Sequence, residues 1–141
     1  MKEASCLFGL GKSMRRFMAT ECTKPCMLGG VYIEDVPGFS APTDGDVLLE
    51  SICLAIESIT PFRLWECQEK YTSKEGITSS EFYVKQAIQY LQEQKIGNIA
   101  ISLEGKATWL TNEKKLAIQE KIASLVSIPF YRIGITHTTA E

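Results

Sequence analysis

Apolar positions recur along this chain in two rhythms, and each change of rhythm marks an element. Val47, Leu48, Ile52, Ala55, Ile56 and Ile59 return every three or four residues, the spacing that gathers side chains on one face of an α-helix. Thr43 followed by Asp46 resembles a capping box with Asp in place of the usual Glu. Thr60-Pro61 closes the segment, because proline cannot continue a helix. These signals predict a helix from that cap to about Ser58. A second helix is predicted near 80–94, opened by Ser79 or Ser80, with Phe82, Val84, Ala87, Ile88 and Leu91 inward and Gly97-Asn98 beyond its end. A third starts at Thr111 or Asn112, turns Leu116, Ile122, Leu125 and Val126 to the core, and stops before Pro129.

Ile99, Ile101 and Leu103 instead alternate with small or polar residues, the period of a strand with one buried face. Three further runs read as strands: residues 4–10 (ASCLFGL), residues 26–33 (CMLGGVYI) with a Gly-Gly bend inside, and residues 130–136 (FYRIGIT). Residues 62–77 are polar-rich, part helix and part loop. The order predicts an α/β (α+β) sandwich of one mixed sheet, covered by helices on one face. The chain stops just after the last strand, which would leave a sheet edge bare unless another subunit covers it.

Composition narrows the function classes. With 141 residues the chain is expected to form a single domain over 1–141. Its apolar share of 45% and charged share of 23% are those of a globular protein. Net charge is −2 with scattered Lys and Arg, which speaks against a nucleic-acid or membrane-surface binder. No apolar run approaches the ~20 residues of a membrane span, and MKEASCLFGLGK lacks the long apolar core of a secretory signal. The five cysteines are odd in number and irregular in spacing; Cys22 and Cys26 form one C-x3-C pair with no second pair at zinc-finger spacing. Reduced thiols and a cytoplasmic location are the expectation. His137 is the sole histidine, so a metal would need carboxylates or thiols.

Several segments then fall in a familiar register. KPCMLGGVYI precedes GFSAPTDGDVLLES; GLGKSMRRF lies upstream; GITSSEFY, GNIAISLEG and GITHTTAE follow in order. From Gly9 to Glu141 the chain resembles the 2-C-methyl-D-erythritol 2,4-cyclodiphosphate synthase family of non-mevalonate isoprenoid biosynthesis. The resemblance implies a homotrimer with active sites between subunits. It also implies a zinc ion held by one Asp and two His, assisted by magnesium, that gathers a cytidyl diphosphate substrate. The substrate's own 2-phosphate attacks the β-phosphate, CMP leaves and a cyclic diphosphate forms. Charge neutralisation and positioning carry such a reaction.

Taken position by position, the resemblance implies altered metal chemistry. The family's Asp and His of Gly-x-Gly-x-Asp-x-His fall on Ser13 and Arg15, and its His after Asp-Gly-Asp-Val falls on Glu50. Serine is a poor zinc ligand and a guanidinium has no lone pair to offer, so no cofactor is expected at the zinc position and activity is expected to be impaired or lost. Arg15 and Glu50 form a forked ion pair if they face each other across that space; the alternative is two ordinary surface residues. The family's catalytic and phosphate-binding His-Ser falls on Pro42 and Thr43, where Thr43 is either a retained contact or a plain helix cap. Its Thr-Thr-x-Glu falls on Thr138, Thr139 and Glu141, which imply phosphate contacts, with Thr139 in a catalytic position. Glu141 is the candidate ligand for magnesium or manganese accompanying a diphosphate. The nucleotide-base loop falls on EGKATWL, where Lys106 faces either phosphate or solvent and Trp109 either stacks on a base or packs on the third helix. Glu66, Cys67 and Glu69 form either a compensating site or a solvated face with one packed thiol. The resemblance implies a further C-terminal strand after that Glu, which the chain is expected to lack. Three functions remain open: an active or altered synthase, a non-catalytic trimer that binds a cytidine nucleotide or diphosphate, and an assembly protein.

Overall fold

The computed structural model describes residues 6–19 and 24–139. The run read as one bent strand is a hairpin. β1 (Pro25–Leu28) and β2 (Val31–Pro37) pair antiparallel with Leu28 opposite Val31, so Gly29-Gly30 is a two-residue turn. Both glycines have positive φ, +61° and +78°, the backbone that matches the twist of the flanking strands and that side chains resist.

α1 (Val47–Glu57) follows, capped by Asp46 rather than Thr43: the Asp46 carboxylate accepts from Leu49 N–H at 3.0 Å. The Thr43 hydroxyl accepts from Gly45 N–H at 3.3 Å within the preceding turn, so it is not the helix cap. Residues 62–77 contain α2 (Leu64–Gln68), which runs into a π-helical turn at Glu69–Ser73. α3 (Ser80–Gln89) is shorter than expected, with Tyr90 as its C-cap and a turn beyond it in which Gln92 has φ +56°. Its cap residue Ser79 makes no side-chain cap bond; Asp44 serves instead, 36 residues away, accepting from Ser80 N–H at 2.9 Å and from the Ser80 hydroxyl at 2.5 Å.

β3 (Ile99–Glu104), α4 (Asn112–Val126) and β4 (Ile133–Thr138) form a βαβ unit, with β3 and β4 parallel and Ile99 opposite Ile133. Thr111 caps α4 through Lys114 N–H, as expected. A 3₁₀ turn, Phe130–Arg132, occupies the front of the last predicted strand. The mixed α/β class stands. Among the described residues, however, the strands pair as two separate ribbons, one antiparallel and one parallel, rather than as one sheet. Residues 6–10 are not a strand: Leu10 N–H donates to the Ser58 hydroxyl at 3.1 Å and the segment crosses α1 instead of pairing. Residues 4 and 5 of that expected strand lie outside the described residues.

One core joins these parts. α1 buries Leu48, Leu49, Ile52, Cys53 and Ile56; α3 buries Tyr83, Val84 and Ala87. α4 touches both ribbons and buries Ile118, Ile122, Ala123 and Val126. Leu116 points outward, 43% exposed. Ile118 instead sits one turn before Ile122 on the buried stripe, which sets Leu116 on another face. Among the described residues no helix is long and apolar enough to cross a membrane.

Candidate functional site: a carboxylate cluster at the start of the first helix

The loop entering α1 is held from several sides. Lys24 Nζ donates to the carbonyls of Ala41 at 3.0 Å and Thr43 at 2.8 Å. Asp44 caps α3 as described. Asp46 is 1% exposed and accepts from Gly29 N–H at 2.8 Å, Gly30 N–H at 2.7 Å and Leu49 N–H at 3.0 Å. One carboxylate thus satisfies the hairpin turn and the start of the helix together, groups that would otherwise be buried without partners. Burial pushes its pKa up to about 6, against the pull of those three donors. Burial, aided by the Asp46 charge, lifts the neighbouring Cys26 thiol to about 11.

One turn into α1, Glu50 meets the N-terminal segment. Arg15 Nε donates to Glu50 Oε2 at 3.0 Å and Arg15 Nη2 to Oε1 at 2.8 Å; the Ser13 hydroxyl donates to Oε2 at 2.9 Å. The forked pair expected from the sequence is present, and its side chains are only 25% and 17% exposed, so the two are not simple surface residues. Both carboxylate oxygens are occupied by cationic or hydroxyl donors. Guanidinium, hydroxyl and a neutralised carboxylate are not a donor set that zinc takes. Among the described residues no group of three His, Cys, Asp or Glu side chains gathers to hold a metal.

Among the other predicted positions, Pro42 and Thr43 belong to the loop entering α1, and Lys106, Thr138 and Thr139 lie on the loop after β3 and the end of β4. Pro42 is exposed and Thr43 buried in its turn. Lys106 is exposed in the loop after β3, and Thr138 and Thr139 are exposed at the end of β4. Gly105 N–H donates to the Thr138 carbonyl at 2.9 Å, and His137 Nε2 bonds the Gly105 carbonyl at 2.9 Å, tying that loop to the strand. Among the described residues no hydrogen bond joins Lys106, Thr138 or Thr139 to Ser13, Arg15 or Glu50; Glu141 lies outside them. Trp109 is half-buried with its ring 6.3 Å from that of Phe17, edge to face, and Phe17 stacks on Phe39 at 4.6 Å. Glu66 and Glu69 are exposed and Cys67 is half-buried, a solvated face with one partly packed thiol. Sequence reasoning placed Asp46 only as a capping-box partner of Thr43 and gave Asp44 and Lys24 no role, because Ser80, the Gly29-Gly30 turn and the Ala41 and Thr43 carbonyls are distant from them in sequence; the Asp-Gly-Asp spacing was the available signal.

The fold and this cluster define a class first: a mixed α/β domain whose polar centre lies where an N-terminal segment meets the first turn of a helix behind a glycine hairpin. The chain belongs to the YgbB family, whose model matches residues 6–141. A Chlamydia caviae protein named 2-C-methyl-D-erythritol 2,4-cyclodiphosphate synthase is 38% identical over 135 residues, which span 94% of this chain and 76% of that protein. The bifunctional IspDF of Campylobacter jejuni superposes with a TM-score of 0.80 at 29% identity, over 95% of this chain and 36% of the other. This chain therefore spans about a third of that longer protein. The Plasmodium falciparum IspF complex with CDP superposes at a TM-score of 0.67 with 21% identity, over 95% and 81% of the two chains, a likeness of fold.

Proposed function

We propose that this chain is a cyclodiphosphate synthase-like protein in which the cyclisation step is impaired or lost. One observation carries the reading. Glu50 stands where the resemblance puts a zinc ligand, and its carboxylate is bound by Arg15 and Ser13, which stand where the resemblance puts the other two. A fixed guanidinium opposes a divalent cation at the same place, and without that cation the developing phosphate charge goes unneutralised. The protein is expected to be cytoplasmic and homotrimeric. The test is CMP release from the cytidyl diphosphate substrate with magnesium or manganese, with the Chlamydia caviae synthase assayed alongside. No release above the enzyme-free rate is expected; turnover within tenfold of that enzyme would refute the reading.

A second reading keeps ligand binding without chemistry. The exposed Thr138 and Thr139 favour it, as does the CDP carried by a structural relative. Calorimetry with CDP decides: saturable heat is expected, and silence at millimolar nucleotide leaves the assembly role.

A further inference from the structure

Residues 9–17 cross α1 at close range. A Cβ on Gly9 would lie 2.4 Å from the Ala55 carbonyl oxygen, and one on Gly11 only 1.9 Å from that of Ser51, so the two glycines let backbone meet backbone. The crossing leaves much of its apolar surface in water: Phe8 is 83% exposed, Leu10 74% and Met14 82%. Burial therefore does little to hold it, and directional bonds must. Among the described residues, bonds from the strap include those at three places. Leu10 N–H donates to Ser58, and Ser13 and Arg15 bind Glu50. Phe17 bridges Phe39, flanked by Met18 N–H to the Gly38 carbonyl and Ser40 N–H to the Arg16 carbonyl, both at 2.7 Å. Of these three fastenings among the described residues, the middle one contains an ion pair and supplies three bonds.

We propose that Ser13, Arg15 and Glu50 form an ion-free clasp that closes this strap onto α1 and, through Phe17, holds Trp109 and the loop after β3 in place. The proposal rests on the reading that no metal occupies this position. A bidentate pair suits the task because it fixes angle as well as distance: Arg15 is two residues from Phe17, whose ring touches both Phe39 and Trp109. Loss of the clasp thus reaches a tryptophan that contacts none of the three clasp residues through any bond among the described residues.

The experiment uses a Trp65→Phe background, so that Trp109 alone reports. In it, Glu50→Gln removes the charge and Arg15→Lys keeps the charge but loses the fork. Glu50→Gln is expected to lower the melting temperature by about 5 °C and to make Trp109 at least twice as easily quenched by acrylamide; Arg15→Lys gives about half of each change. EDTA changes neither quantity in the parent. If Glu50→Gln does not fold, Arg15→Lys decides. Parent-like melting and quenching in Arg15→Lys, or in every variant that folds, would overturn the clasp, and so would a strap loosened by EDTA. CMP release by the parent bears on the functional reading alone, so the two failures are separable: an unchanged Arg15→Lys with no turnover sinks only the clasp.

Discussion

At the residue scale, Asp46 shows how a buried acid can be needed for the fold and still cost stability. Its carboxylate joins the Gly29-Gly30 turn to α1, yet burial lifts its pKa from 3.8 to about 6. Asp44 bears on the Asp46 charge, while Cys26 and Cys53 feel that charge in turn; Lys24 Nζ lies on the adjacent carbonyls. The folded state holds the proton more tightly than the unfolded chain does. The stability linked to this proton is therefore fully present below about pH 4, and it is lost as pH rises through about 6. The span corresponds to about 3 kcal/mol at most. Asp46→Asn cannot titrate. Urea unfolding at several pH values between 4 and 7 should show the wild type gaining on the variant as pH falls. A difference independent of pH would show that Asp46 is not perturbed. At neutral pH the variant still loses an acceptor for the turn, and is expected to be less stable by about 1–2 kcal/mol.

At the scale of elements, the hairpin turn depends on a residue without a side chain at Gly29. Gly29 has φ +61° and a Cβ there would sit 2.4 Å from Ile118 Cγ2, so Gly29→Ala combines a strained backbone with an overfilled core. A loss of about 2–3 kcal/mol is expected by chemical denaturation. Gly97→Ala, with nothing within 4 Å of its Cβ, should stay within about 0.5 kcal/mol of wild type. Equal losses at both positions would remove the packing explanation.

The same element marks the limit of reading from sequence. The alternation of Ile99, Ile101 and Leu103 and the Thr111 cap of α4 are local signals, and the three main helices and β3 were legible, although the cap of α1 falls on Asp46 rather than Thr43. A glycine pair inside an apolar run does not say whether the chain bends or reverses. The stripe of α4 was misplaced because both Leu116 and Ile118 fit an apolar period; only packing against Gly29 and its neighbours selects Ile118. The site divides in the same way. Arg15 and Glu50, 35 residues apart, were paired beforehand only because a family pattern placed both at one centre. Asp44 with Ser80 and Asp46 with the turn had no such guide.

At the scale of the molecule, the βαβ unit poses a question of cover. β3 and β4 are parallel, and their inward residues Ile99, Ile101, Leu103, Ile133 and Ile135 pack on the core. Ala100, Ser102, Glu104, Gly134, Thr136 and Thr138 lie on the opposite, exposed face. Parallel strands are rarely left with one face open to water, and two strands alone are a marginal sheet. Each ribbon also leaves edges without a strand beside them among the described residues, which other chains can extend. A second and third copy would cover the face and the edges at once, in keeping with the homotrimer that the family resemblance implies. Sedimentation equilibrium is therefore expected to give three times the chain mass at micromolar concentration. Ala100→Glu places a charge on the open face without touching the core, so it should fall to a monomer that keeps the wild-type far-UV circular dichroism. A wild type that sediments as a monomer would refute the assembly. A trimer that survives Ala100→Glu unchanged would keep the assembly and move its interface off this face.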